Sequence, residues 1–244
     1  MEREVIEIMN VPFDAVNMDG AVKRVEELFE EPGQHIICTP NPEIVMEAQK
    51  DKVFMDILKA ADLVVADGIG IVWASKYCHK KLKERVSGYD LCLKIFDLIK
   101  DTDKTVYFFG GSPGIAAAAA KRMVRKYPGL KFAGTRNGYF LPADESKIIS
   151  DIKKASPDIL LVGLGSPKQE KWIYDNLRFT GAHIAIGVGG SFDVMAGNVK
   201  RAPVIFQKFN IEWLYRLVTQ PKRFKRQLKL PEFAFKILLL KNVK

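Results

Sequence analysis

The sequence predicts an α/β protein: a Rossmann-like, mostly parallel sheet with helices on both faces, plus a C-terminal helical appendage. Three observations carry this. Short apolar runs alternate with amphipathic stretches from residue 35 to residue 197. The joints between them are short and rich in Gly, Pro, Asn and Asp. Beyond Gly197 the composition turns basic and aromatic. Strands alternating with helices through short turns argue for a parallel sheet covered on both sides. In such a sheet, ligands bind outside the carboxyl ends of the strands, near a topological switch point.

Taken in order, "HIICTPNPEIVMEAQ" (35–49) reads as a strand, a Thr39-Pro40-Asn41-Pro42 turn and a helix. "ADLVVADGIGIVWASKY" (61–77) repeats the pattern around Asp67-Gly68. "KTVYFFGGSPGIAAAAAKRMVRKY" (104–127) places Gly110-Gly111 after a strand, with Ser112 expected as the helix N-cap and Pro113 at the first helical position. "LKFAGTRNGYF" (130–140) reads as a strand and loop before a helix over about 143–155. "ILLVGLGSPKQEKWI" (159–173) is a strand, a glycine turn and a helix opened by Ser166-Pro167. It lacks the third glycine of a dinucleotide loop, having Lys168 there, and it lacks the Gly-Lys-Ser/Thr ending of a P-loop. Lys168 and Glu170 are expected to be solvated first-turn residues. "HIAIGVGGSFDVMAG" (183–197) supplies a further strand and glycine turn. These turns are expected to bring Thr39, Asn41, Asp67, Gly110, Gly111, Gly165, Gln169, Gly189 and Asp193 around one cleft. Residues 1–195 are taken as the globular domain and 196–244 as the appendage.

Composition narrows the class. Hydrophobic residues make up 48% of the 244, enough for a substantial core. Cys38, Cys78 and Cys92 form no CxxC pair, so neither a disulfide framework nor a zinc site is signalled. The start of the chain does not read as a signal peptide, and no apolar run reaches the roughly 18–20 residues of a spanning helix. A cytoplasmic location is therefore expected. Residues 200–244 carry eight Lys and four Arg against Glu212 and Glu232, whereas the remainder holds 26 basic and 27 acidic side chains. All of the net charge of +9 thus comes from the C-terminal fifth, which suits an anionic partner.

Several glycine turns in one chain favour a nucleotide or sugar-nucleotide ligand, because glycine lets backbone N–H groups approach an anion at a helix N-terminus. Asp67 ends a strand-like run; pattern alone leaves it equally a general base, a ribose contact or an N-cap, and Asp193 poses the same choice. Asp101-Thr102-Asp103 precedes a strand instead of following one, so it belongs at the wrong edge of the sheet and no metal is assigned. His35, His79 and His183 have no metal-ligand spacing and read as packing residues. In the appendage, Arg216, Arg223 and Arg226 are interleaved with Trp213, Tyr215 and Phe224. Arginine suits bidentate phosphate contact, and aromatics with cations suit a membrane interface. No nucleic-acid-binding signature accompanies them. The apolar positions within 204–218 and 233–240 suit self-association as well as lipid, which leaves a homo-oligomer open.

Together, "TPNPEIV" (39–45), "ADGIGIVWASK" (66–76), "ERVSGYDL" (84–91), "FFGGSPG" (108–114), "GLGSPKQEKWI" (163–173), "GVGGSFDVMAG" (187–197), "RAP" (201–203) and "EWLYRL" (212–217) resemble the WecG/TagA/CpsF family of bacterial glycosyltransferases, with the TagA branch nearest. The resemblance implies an inverting transfer of N-acetylmannosamine from UDP-ManNAc to undecaprenyl-diphosphate-GlcNAc, the linkage-unit step of wall teichoic acid synthesis. Other branches use other UDP-sugars. It makes Asp67 the general base, places Thr39 and Gln169 in the sugar pocket, and puts Arg85 near the reacting groups. Tyr139, Gly187, Gly189 and Asp193 become nucleotide contacts. Glycine-turn amides and the appendage arginines are left to compensate the diphosphate, with no metal and no cofactor. The appendage is then expected to dock on anionic lipid at the inner face of the membrane. Two other classes fit less well. A nicotinamide-dependent oxidoreductase wants a complete glycine fingerprint, and a non-enzymatic nucleic-acid-binding protein leaves the glycine-rich cleft unexplained.

Overall fold

The computed structural model describes residues 4–78, 80–209, 212–219 and 227–241, so His79, Arg223 and Arg226 lie outside the described residues. An antiparallel hairpin comes first, β1 (Val5–Ile8) and β2 (Val11–Asp14). Its two turn residues, Met9 and Asn10, both take positive φ, as a tight hairpin turn requires. Nothing in the alternation of 35–197 announces this hairpin. It buries Ile6, Ile8, Val11 and Phe13, and Asp14 Oδ2 accepts a 2.7 Å bond from Val64 N–H in the main sheet. Helix α1 (Met18–Glu30) follows, capped by Asn17, whose side chain accepts from Gly20 N–H at 2.9 Å.

The main sheet is built from β3 (His35–Cys38), β4 (Leu63–Val64), β5 (Thr105–Gly110), β6 (Lys131–Arg136), β7 (Ile159–Gly163) and β8 (Ile184–Gly187). All its pairs are parallel and its order is β4-β3-β8-β7-β5-β6. The helices between the strands are α2 (Pro42–Ala48), α3 (Lys52–Ala60), α4 (Ile69–Ser75), α5 (Gly88–Ile99), α6 (Ile115–Lys126), α7 (Glu145–Ala155), α8 (Lys168–Thr180) and α9 (Ser191–Ala196). One face of the sheet packs α1, α5, α6 and α9 around Phe96, Phe108 and Phe192. The other carries α7 and α8 around Phe109 and Trp172, continued by α2, α3, α4 and the hairpin. β7 and β8 are fully buried and read as continuous apolar runs, as central parallel strands should.

The C-terminal segment forms α10 (Val204–Lys208), α11 (Glu212–Thr219) and α12 (Lys229–Lys241). Phe233 and Ile237 of α12 are buried in the same cluster as the hairpin, α2 and α4, and Lys229 pairs with Glu47 of α2. The first and middle turns of this last helix are therefore packed on the core.

Two local expectations change. Helix α6 starts at Ile115 with Gly114 in the N-cap position, not at Pro113 with Ser112 as cap. Gly110, Gly111 and Gly114 all take positive φ, which lengthens the loop so that Ser112-Pro113 form a turn closed by Ile115 N–H to Ser112 O. Glu170 is not solvated: it is 4% exposed, on the sheet-facing side of α8, whereas Lys168 is exposed and lies over the Phe140 ring. Each residue of an α-helix is turned by about 100° from the one before, so residues two apart lie about 200° from each other, one inside and the other outside. His35 and His183 pack edge to face at 5.3 Å between the sheet and α1, as packing residues. Asp103, in the turn before β5, pairs with Lys131 at the amino edge of the sheet.

Candidate active site

β3 and β8 are neighbours, but the chain leaves them towards opposite faces, into α2 and α9 respectively. A crevice opens where such connections diverge. It holds a cavity of about 740 Å³ at the carboxyl edge of β4, β3, β8 and β7, closed on its far side by α11 and α12.

Thr39 and Asn41 come from the β3 turn. Asn41 Oδ1 caps α2 through Ile44 N–H at 3.0 Å, which leaves its NH2 as the group able to meet a ligand. Asp67 follows β4. The N-cap of α4 is Gly68, at φ +135°, and no side chain caps that helix, so Asp67 does not serve as its cap. Gly70 passes so close to Pro42 that an added Cβ would stand 2.7 Å from its Cγ, which clamps the Asp67 turn against the Asn41 turn. Val86 N–H donates to Ala66 O, laying the Arg85 segment beside Asp67. Gly88, at the start of α5, abuts Thr39: a Cβ there would lie 2.7 Å from Thr39 Oγ1.

From the other side, Gly165 and Gly189 have positive φ and open space where a side chain would be, so bare backbone faces the cavity. Gln169 is 3% exposed; its Oε1 accepts from Gly189 N–H at 2.9 Å and its Nε2 donates to Glu170 Oε1 at 2.8 Å. Burial pushes the Glu170 carboxyl above its ordinary range, against the opposing pull of the Gln169 hydrogen bond. Gly187 packs on that amide, with an added Cβ only 2.6 Å from Nε2. Asp193 lines the same wall from α9.

The expected residues therefore divide. Thr39, Asn41, Asp67, Arg85, Gly165, Gln169, Gly187, Gly189 and Asp193 line one cavity. Gly110, Gly111 and Tyr139 do not, because β7 separates β5 and β6 from the crevice. Gly110 is glycine for packing: a Cβ would meet Gly163 O at 2.3 Å. Gly111 N–H is consumed by Gly163 O at 3.0 Å, so it is not available to an anion, and Tyr139 is 69% exposed on the far loop. Arg216 lies on α11 with its side chain outside the described residues, as Arg223 and Arg226 do entirely.

Three charged residues not singled out from the sequence complete the site. Glu212 of α11 reaches Arg85, with Nη2 to Oε2 at 2.7 Å, and stands 3.5 Å from Arg201 Nε. Arg201 in turn grips Asp90 with two bonds of 2.7 and 2.6 Å and lies over the Tyr89 ring. Burial works against the Arg201 cation, but the Asp90 bonds together with the nearby charges of Asp90 and Glu212 outweigh it and hold its proton above the usual range. Arg85 and Arg201 are 116 positions apart in the chain, so no local spacing links them; only their presence in "ERVSGYDL" and "RAP" marks them.

With this geometry in place, the chain matches the model of the glycosyl transferase WecG/TagA/CpsF family over residues 6–244. It belongs to that family. Three similar proteins bear the name N-acetylglucosaminyldiphosphoundecaprenol N-acetyl-beta-D-mannosaminyltransferase. The one from Bacillus spizizenii (strain ATCC 23059 / NRRL B-14472 / W23) is 39% identical over 83% of this chain and 78% of its own. Those from Bacillus subtilis (strain 168) and Staphylococcus aureus (strain NCTC 8325 / PS 47) are 34% and 36% identical, over 95% and 97% of this chain and 90% and 93% of theirs. The chain is thus a glycosyltransferase, and the crevice between β3 and β8 is its candidate active site.

Proposed function

We propose that this glycosyltransferase moves N-acetylmannosamine from UDP-ManNAc to undecaprenyl-diphosphate-GlcNAc, with inversion and without a metal. The observation that supports it most is the convergence of Asp67, Thr39 and Gln169 in one cavity that Arg85 and Arg201 also line. An acceptor hydroxyl attacks the anomeric carbon while Asp67 takes its proton; the bond from that carbon to the UDP oxygen breaks, and UDP leaves with the electron pair. Thr39, the Asn41 amide and the free N–H of Gln169 offer hydrogen bonds to the sugar. Gly111 and Gly189 amides are already bonded within the protein, so the charge of the leaving diphosphate falls to Arg85, Arg201 and the helix N-termini at the crevice.

The lipid acceptor calls for access to a membrane surface. Among the described residues, no helix is long and apolar enough to cross a membrane. Val204, Ile205, Phe209, Trp213, Val218 and Leu228 are exposed along the basic C-terminal segment, a composition suited to peripheral docking at the inner face. The test is transfer from a panel of UDP-sugars to a lipid-diphosphate-GlcNAc acceptor, with and without anionic vesicles. Turnover with UDP-ManNAc and none with UDP-GlcNAc or UDP-glucose is expected; preference for another donor would overturn the assignment of the sugar.

A further inference from the structure

An amide side chain has two faces, and a binding site needs it to keep one of them. Gln169 has both ends occupied by groups of opposite character: Oε1 takes the Gly189 N–H, and Nε2 gives one hydrogen to Glu170 Oε1. Turning the amide over would set NH2 against N–H at Gly189 and oxygen against oxygen at Glu170. A carboxylate, which only accepts, forbids that; a glutamine in its place, carrying both an oxygen and an NH2, would serve either orientation. Glu170 is 4% exposed, and the Ser166 hydroxyl beside it also favours its charged form. Burying a carboxylate is nonetheless unfavourable for the fold.

We infer that Glu170 is a positioning residue: its buried carboxylate holds the Gln169 amide with Oε1 on Gly189 and the remaining N–H turned into the cavity. The consequence reaches two parts of the site at once. The Gly189 turn, whose backbone borders the cavity, is tied down through Oε1, and the sugar-facing donor is fixed through Nε2. Burial of the ionised form makes this a device that works against stability, which separates it from an ordinary structural contact. The kinetic consequence rests on the reading that Gln169 meets the donor sugar; the positioning itself does not.

The test is Glu170→Gln in the full chain, with kcat, KM for the donor and Tm measured together. The expected result is a Tm equal to or above that of the unaltered protein and a fall in kcat of about 10–100-fold, the scale of a misplaced contact. Activity within twofold, or a loss that follows a lowered Tm, would overturn the inference. A second measurement needs neither substrate nor variant: the Gln169 side-chain NH2 and the Gly189 amide are followed by NMR as pH is varied. Both signals should move together with the ionisation of a glutamate titrating above the ordinary range. If they stay fixed, Glu170 does not hold Gln169, whatever the donor proves to be; if they move while no UDP-sugar is turned over, the donor reading alone has failed.

Discussion

Glu212 is the one carboxylate that α11 contributes to the crevice, and removing it should release that helix without unfolding the sheet. The Glu212 and Arg85 side chains are 9% and 13% exposed and meet at 2.7 Å. Two unit charges about 4 Å apart near a protein surface interact by about 4 kcal/mol. Removing one partner of a buried pair costs about 3–5 kcal/mol, because the other charge is left uncompensated. Arg201 keeps its two bonds to Asp90, so Arg85 alone is stranded in Glu212→Ala and the lower end, about 3 kcal/mol, applies. That corresponds to roughly a hundredfold in the local opening equilibrium. Hydrogen–deuterium exchange reads it directly. Amides of Glu212–Thr219 should lose about a hundredfold of protection, while those of β7 and β8 keep theirs. Unchanged exchange in α11 would refute the reasoning. So would an equal loss in the central strands, which would mean that the pair stabilises the whole fold and not the docking of one helix.

The same structure makes further predictions. Asp67→Asn should lower kcat by about 10²–10⁴-fold and change the affinity for UDP far less, as steady-state kinetics and calorimetry with UDP will show; near-normal turnover would remove Asp67 as the base. Gly187→Ala places a methyl 2.6 Å from Gln169 Nε2, so it should cost about 1–3 kcal/mol in denaturant unfolding and displace the amide, with turnover falling too. The folded pKa of Glu170 is raised, so the folded state holds that proton more tightly than the unfolded chain. Its contribution is most favourable at low pH and is lost as pH rises through the raised value. The stability difference between Glu170→Gln and the unaltered protein should therefore grow in favour of the variant from about pH 4.5 upwards, measured by urea unfolding across pH. Co-sedimentation with anionic vesicles should exceed that with neutral ones and weaken with salt, since Lys and Arg near such a surface contribute about 1 kcal/mol each.

Much of the site was legible from turns. Each parallel strand ends at the same edge, so naming the residues after strands at 39–41, 67, 165–169 and 187–193 was enough to gather them. What that rule cannot supply is the lateral order of the strands. Gly110-Gly111 has the same local grammar as Gly187–Gly189, yet β5 lies beyond β7 and its glycines serve chain packing. Glu170 was misjudged for a related reason. A charged residue in a first helical turn is usually solvated, and only the lie of α8 on the sheet shows that this one points inwards. The hairpin of Val5–Asp14 was missed because its turn, Met9-Asn10, lacks the glycine that ordinarily marks such a turn.

By itself, then, the sequence determined the fold class, the edge at which ligand chemistry collects and the family, since these depend on period, turn residues and motif order. Tertiary structure alone decided which turns share a cavity, that Glu170 stands behind Gln169, and that Glu212 bridges Arg85 and Arg201. Those contacts join neighbouring side chains on one helix only through the lie of that helix, or bring Glu212 onto Arg85, 127 positions away, and onto Arg201 in the segment before α11. Local pattern carries no record of such distances; packing creates them.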